Sequence, residues 1–203
     1  MAVITISRET GSEGWTIAQA VAKRLGVPSA DREVIEEAAR LAGLPEEILH
    51  AKEQETGQQR TFSSSDMVGL VRRSQAGRRK RLEDEVYAKF VADAIHGLAE
   101  KPCVIIGRGS QFVLGDRSDA LHVHIYAPEA VRIARVMRDQ GVPRQEAARI
   151  VRSSDATRAN YIKQYHNNAN WRSPDRYNLM IDTGRIPPDV AVEIIARAAE
   201  AIG

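Results

Sequence analysis

The chain holds one cysteine, Cys103, in 203 residues. That excludes an internal disulfide and any cysteine metal cluster, and it fits a reducing compartment. No apolar run has the length needed to span a bilayer. No basic stretch precedes an apolar one at the N-terminus, so no secretory signal is expected and a cytoplasmic location is. Net charge is scarce as well. The 29 Lys and Arg against 27 Asp and Glu leave +2, too little to demand a nucleic-acid or membrane partner. Ser7, Ser12 and Ser110 lack the His/Asp spacing of a hydrolase triad, and Gly-x-Ser-x-Gly is absent. His122 and His124 share a strand face, but no cysteine or patterned carboxylate completes a metal set. Lysine is sparse: six, against 23 arginines. Codon usage explains much of such a bias, yet Arg is also the better bidentate partner for phosphate. Position must therefore decide what the arginines do.

What is present is an ordinary globular composition, 43% hydrophobic and 28% charged, with enough chain for one large domain or two small ones. Strand-like and helix-like segments alternate. Ala2 to Ser7 is apolar and β-branched. Gly14 to Leu25 carries apolar residues at helical spacing, and Gly26 stops it. Val27 to Ala30 is a short extended link. Asp31 is placed to cap a helix from Arg32 to Ala42, stopped by Gly43, and Pro45 opens another to about Glu55. The polar stretch from Gly57 to Asp66 reads as a connection, Met67 to Arg73 as a short apolar-basic piece, and Arg78 to about Ala99 as a long helix. Pro102 to Ile106 and Leu121 to Tyr126 are strands. Pro128 starts a helix to about Gln140 and Pro143 one to about Tyr165. Tyr177 to Asp182 is a last strand and Pro188 to Ile202 a closing helix. This alternation predicts parallel crossovers in a three-layer α/β domain, where ligands bind beyond the carboxyl ends of the strands.

Three of those five ends carry an arginine: Arg8, Arg32 and Arg108. Guanidinium groups converging there would bind a polyanion, most simply phosphates. The competing reading pairs them with Glu9, Asp31 and Asp116. Downstream, Arg132, Arg135 and Arg138 precede Arg144, Arg149, Arg152 and Arg158 on consecutive helices. Such a pair suits a lid that brings charge to a transferring group and excludes water, or else is simply solvated. The run Arg78 to Arg81 lacks interleaved aromatics and is followed at once by Glu83, Asp84 and Glu85. A charged helix face fits it better than a nucleic-acid contact, whose signature would be steep salt dependence.

The stretch from Ile4 to Ala18 reads as strand, glycine-bearing turn and helix start, the architecture of a phosphate-binding loop. Against G-x-x-x-x-G-K-[ST], Gly14 and Thr16 fit, but Glu9 stands at the first glycine and Trp15 at the lysine.

Taken in order, these segments resemble the cytidylate-kinase-like family of nucleoside-monophosphate kinases. The resemblance rests on Ile4-Thr5-Ile6-Ser7-Arg8-Glu9 with Gly11-Ser12, on Asp31-Arg32-Glu33-Val34-Ile35, and on Val104-Ile105-Ile106-Gly107-Arg108-Gly109. It continues through Tyr126-Ala127-Pro128 with Arg132 and Arg135, the stretch Asp155 to Tyr161, and Asn178 to Thr183. It implies a P-loop fold with a parallel sheet of about five strands in the order 2-3-1-4-5, a single domain over 1–203, an acceptor-binding helical insert at 31–60 and a lid at 143–174. It implies ATP as donor with Mg²⁺, held by Gly11, Ser12, Gly14 and Thr16, with Thr16 near the metal. Arg32, Arg108 and Asp155 would serve the acceptor, a nucleoside monophosphate or similar small phosphate. Arg8, Arg132 and Arg158 would serve the transfer. A non-catalytic nucleotide-binding or interaction protein is the alternative on the same scaffold, and the helix from Arg78 suits a homodimer. The loop departs from the family's Gly-Ser-Gly-Gly-Arg in Glu13 and Trp15, and Val151 and Arg152 replace the first two lid-motif residues. A carboxylate about 6 Å from a phosphate charge costs on the order of 2–3 kcal/mol at an effective dielectric near 20. Arg8, just before the loop, is placed to compensate.

Overall fold

In the computed structural model, which describes residues 2–57 and 84–202, five strands form one parallel sheet. They are β1 (Val3–Arg8), β2 (Ser29–Ala30), β3 (Val104–Ile106), β4 (Ala120–Tyr126) and β5 (Leu179–Asp182). Their spatial order is β2-β3-β1-β4-β5, as the resemblance implies. In β1, Ile4 and Ile6 face one side and Val3 and Thr5 the other, because side chains alternate along a strand. Ile4, Ile6, Val104, Ile106 and Leu121 pack with α1 (Gly14–Leu25) and α8 (Pro188–Ile202). Val3, Ile105 and Cys103 pack with α2 (Glu33–Ala42), α3 (Glu46–Gly57), α4 (Asp84–Leu98) and α7 (Arg144–Tyr165). Burial of both sheet faces explains why the strands read as apolar runs rather than as alternating patterns.

The remaining helices are α5 (Ser110–Leu114) and α6 (Glu129–Gln140). Ile133 and Val136 of α6 meet Ala147 and Val151 of α7 in a small separate core, which joins the two arginine-bearing helices. Among the described residues, no helix is long and apolar enough to cross a membrane.

Several local expectations shift. The helix expected from Arg32 starts at Glu33, and no side chain caps it. The Asp31 carboxylate goes to Arg108 instead, because a buried guanidinium is a stronger partner than the exposed helix start. α5 follows Gly107-Arg108-Gly109 in a stretch whose five residues are too few for a helical period to register. The last strand opens at Leu179 rather than Tyr177. The expected connection from Gly57 to Asp66, the piece from Met67 to Arg73 and the run Arg78 to Arg81 lie outside the described residues, except Gly57 itself, which ends α3. So do residues 58–60 of the expected acceptor insert and the start of the expected long helix.

Candidate functional site

β1 delivers the chain into the turn from Glu9 to Glu13, and α1 starts at Gly14. The loop is held by its carbonyls. Arg132 donates to Thr10 O (3.2 Å), Arg135 to Gly11 O (3.3 Å) and the Thr183 hydroxyl to Ser12 O (2.9 Å). Ser12 Oγ donates back to Glu9 O at 2.8 Å. Gly11 has φ +79°, and a Cβ there would fall 2.6 Å from Arg132 O, so only glycine fits. Ile17 makes the first helical bond of α1, to Glu13 O. The amides of Gly14, Trp15 and Thr16 precede it, and a helix start of this kind attracts anions.

Glu13 takes a left-handed conformation, φ 61°. Its carboxylate lies 3.3 Å from Arg135 Nη2 and 3.8 Å from Arg138 Nη2. The repulsion expected of Glu13 is therefore opposed by two guanidinium groups that the loop itself does not contain. Trp15 is 55% exposed, and Thr16 is exposed beside it.

Next to the loop lies a cavity of about 240 Å³ lined by Arg8, Asp31, Glu53, Arg108, Ser154 and Arg158, among others. Arg108 sits in three successive left-handed residues, with φ 80°, 51° and 69° for Gly107, Arg108 and Gly109. The turn aims its guanidinium at Asp31 Oδ1 (2.6 Å) and Glu53 Oε1 (3.2 Å). Burial alone would lower its pKa, but Glu53 and Asp31 carry it above the ordinary guanidinium value. Arg8 is less well matched, with its nearest carboxylate oxygen on Asp31 at 3.7 Å. Burial, together with the like charge of Arg108, lowers its pKa. Arg158 donates to the hydroxyls of Thr10 and Ser154, each at 2.7 Å. Burial and then the charge of Arg8 push it down to about 10. Desolvated cations of like sign in one cavity favour an entering anion.

Behind the cavity, two carboxylates and two guanidiniums close a ring. Arg132 Nε meets Glu9 at 3.0 Å, and its Nη1 meets Asp155 at 2.8 Å. Arg172 Nη2 meets Glu9 at 2.6 Å and Asp155 at 2.9 Å, while its guanidinium lies 5.0 Å from the centre of the Trp171 ring. The ring ties the loop to α6, α7 and the segment after α7.

The cytidylate kinase-like family model matches residues 3–185. The chain belongs to that family. No curated protein matches it. Among solved structures, an uncharacterized protein from Eubacterium ventriosum ATCC 27560 is 21% identical, with TM-score 0.69 and 99% of each chain covered. Shikimate kinase from Bacteroides thetaiotaomicron is 15% identical, with TM-score 0.50 and 98% of each chain covered. Shikimate kinase from Acinetobacter baumannii in complex with shikimate is 16% identical, with TM-score 0.50, covering 99% of this chain and 94% of that one. These likenesses establish the P-loop kinase fold.

In this cytidylate kinase-like chain, Arg8, Arg108 and Arg158 meet at one cavity. Arg132 and Asp155 meet in the ring behind it. Arg32 stands apart, its side chain 72% exposed and paired with Glu36 at 3.0 Å and Glu46 at 3.5 Å. Of the carboxylates expected to compete for the strand-tip arginines, Asp31 does so. Glu9 serves Arg132 and Arg172 instead. Sequence reasoning missed Arg172 and Glu53. Neither belongs to a local motif, although the Trp171-Arg172 pair after a helix break was a visible signal.

The two strand histidines are absorbed by the fold. His122 bridges the Thr5 hydroxyl and Gly115 O, each at 2.7 Å. His124 contacts Ser7 Oγ at 3.2 Å, and burial followed by the charges of Arg172 and Arg132 lowers its pKa to about 4. Among the described residues, no group of three or more His, Cys, Asp or Glu is placed to hold a metal.

Proposed function

We propose that the chain is a kinase that transfers the γ-phosphoryl group of ATP to a nucleoside monophosphate or a similar small phosphate acceptor. One observation carries this reading. A cavity beside a phosphate-loop helix start has charged lining residues of three guanidiniums, Arg8, Arg108 and Arg158, against two carboxylates, Asp31 and Glu53. In the transfer, an acceptor phosphate oxygen bonds to the γ-phosphorus as the bond to the ADP oxygen breaks. The protein's part is positioning and charge neutralisation.

Gly11, Ser12, Gly14 and the amides of the first turn of α1 would hold the donor phosphates. The anion-favouring start of α1 at Gly14 fits that group. Thr16, exposed in the same turn, would offer its hydroxyl to Mg²⁺ arriving with the nucleotide. The ion supplies charge neutralisation on the donor phosphates when bound. Arg108 and Arg158 would take the acceptor phosphate. Arg132 and Asp155 would set the lid, residues 143–174, against the loop. Arg32, exposed and paired with Glu36 and Glu46, is the weakest member of the expected acceptor set.

An ADP-release assay across a panel of monophosphates tests this reading, and no turnover with any of them overturns it. Trp15 in the lysine position favours a second reading, a nucleotide-binding protein without transfer. Mg·ATP binding with no ADP release would select that one.

A further inference from the structure

The loop position that carries lysine in the phosphate-loop pattern is Trp15, an apolar ring that is 55% exposed. A cation nevertheless passes the loop from the strand side. The stem of Arg8 lies against Gly14, the first residue of α1. A Cβ on Gly14 would fall 2.5 Å from Arg8 Cβ and 3.3 Å from its Cγ. Its guanidinium lies against Gly107 at the tip of β3, where a Cβ would fall 2.2 Å from Nη1. The Arg8 side chain therefore runs from the start of the loop helix to the wall of the arginine cavity. Two glycines leave room for it.

The charge of Arg8 is also poorly compensated. Its carboxylate partner, Asp31, stands 3.7 Å away and is taken more closely by Arg108, at 2.6 Å. Arg158 adds a third positive charge to the same lining. A desolvated guanidinium with a distant, shared counterion favours an anion of its own. A guanidinium also has the planar fork that grips two phosphate oxygens at once.

We propose that Arg8 is the cation of the phosphate loop in this chain. It replaces the missing lysine from the opposite side and contacts the γ-phosphoryl group between the donor loop and the acceptor cavity. This rests on the kinase reading above. It adds that the charge for the donor phosphates comes from the tip of β1 and not from α1.

Calorimetric titration of Mg·ATP into four proteins tests it: wild type, Arg8→Lys, Arg8→Met, and Arg8→Met combined with Trp15→Lys, each first shown to melt cooperatively. Arg8→Met is expected to bind about tenfold to a hundredfold more weakly, the worth of a charged hydrogen-bonding partner. Arg8→Lys should fall between it and wild type. Trp15→Lys should recover most of the loss, because it returns the cation by the other route. Wild-type binding that survives Arg8→Met, or a loss that Trp15→Lys does not recover, overturns the proposal and leaves the kinase reading standing. If Arg8→Met does not fold, Arg8→Gln takes its place with and without Trp15→Lys, and affinity equal to wild type in Arg8→Gln overturns the proposal. A wild-type protein that binds no Mg·ATP overturns both.

Discussion

Glu13 illustrates how a single residue changes meaning once its neighbours are known. In sequence it is a carboxylate inside a phosphate loop, a repulsive charge. In the fold it faces Arg135 and Arg138, which oppose that repulsion from α6. Burial decides the behaviour of two other side chains. His124 and His166 both have pKa values lowered to about 4 by burial, with the charges of Arg172 and Arg132 adding to the effect on His124. A histidine held neutral in the native state charges first in the unfolded chain. Its stabilising contribution is therefore complete above pH 6.5 and is lost as pH falls from there toward 4. The loss is on the order of 2–3 kcal/mol for each histidine. Urea unfolding across that range should show the decline, and His124→Gln should flatten it relative to wild type.

The elements that matter most for the site are α6 and α7, and the ring of Glu9, Arg132, Asp155 and Arg172 fixes where they sit. Arg132 is 4% exposed, so losing either of its two carboxylates leaves a buried charge with a single counterion. Glu9→Gln or Asp155→Asn should each destabilise the protein by about 1.5–3 kcal/mol in urea unfolding. Adding Arg132→Met to Glu9→Gln should recover part of that loss, because the under-compensated buried charge is then gone. Full additivity in this cycle would show that the ring does not act as a unit. The same helices show what sequence can and cannot reveal. Their starts at Pro128 and Pro143 were legible, because a proline signal is local. The pairing of Glu9 with Arg172 was not, because it depends on how residues 163 positions apart meet (172 − 9). α5 was too short to leave a periodic trace.

At the scale of the whole molecule, the order of the sheet followed only from the family resemblance, whereas the parallel sheet itself was legible because strands and helices alternate and each strand tip then points the same way. That rule alone gathered Arg8 and Arg108 at one edge. It also gathered Arg32, wrongly for the cavity, because the turn after β2 carries its side chain out to Glu36 and Glu46. The two tryptophans report on the two sides of the site. Trp15 is 55% exposed at the loop, whereas Trp171 is 4% exposed at the cavity wall. Mg·ATP should therefore shift the emission of Trp15 toward shorter wavelength as the loop is covered, and the shift should persist in Trp171→Phe. An unchanged spectrum at millimolar Mg·ATP would count against a phosphate site at this loop.

The charged ring also bears on how sequences of this kind are able to drift. Each of its four members touches two partners of opposite sign, and none of its contacts joins like charges. Reversing the sign of any one member turns two attractions into repulsions at once, and no other single change restores both. Relatives should therefore hold these four positions together or abandon them together. A relative with an apolar residue at position 9 is expected to have lost the cation at 132 or 172 as well.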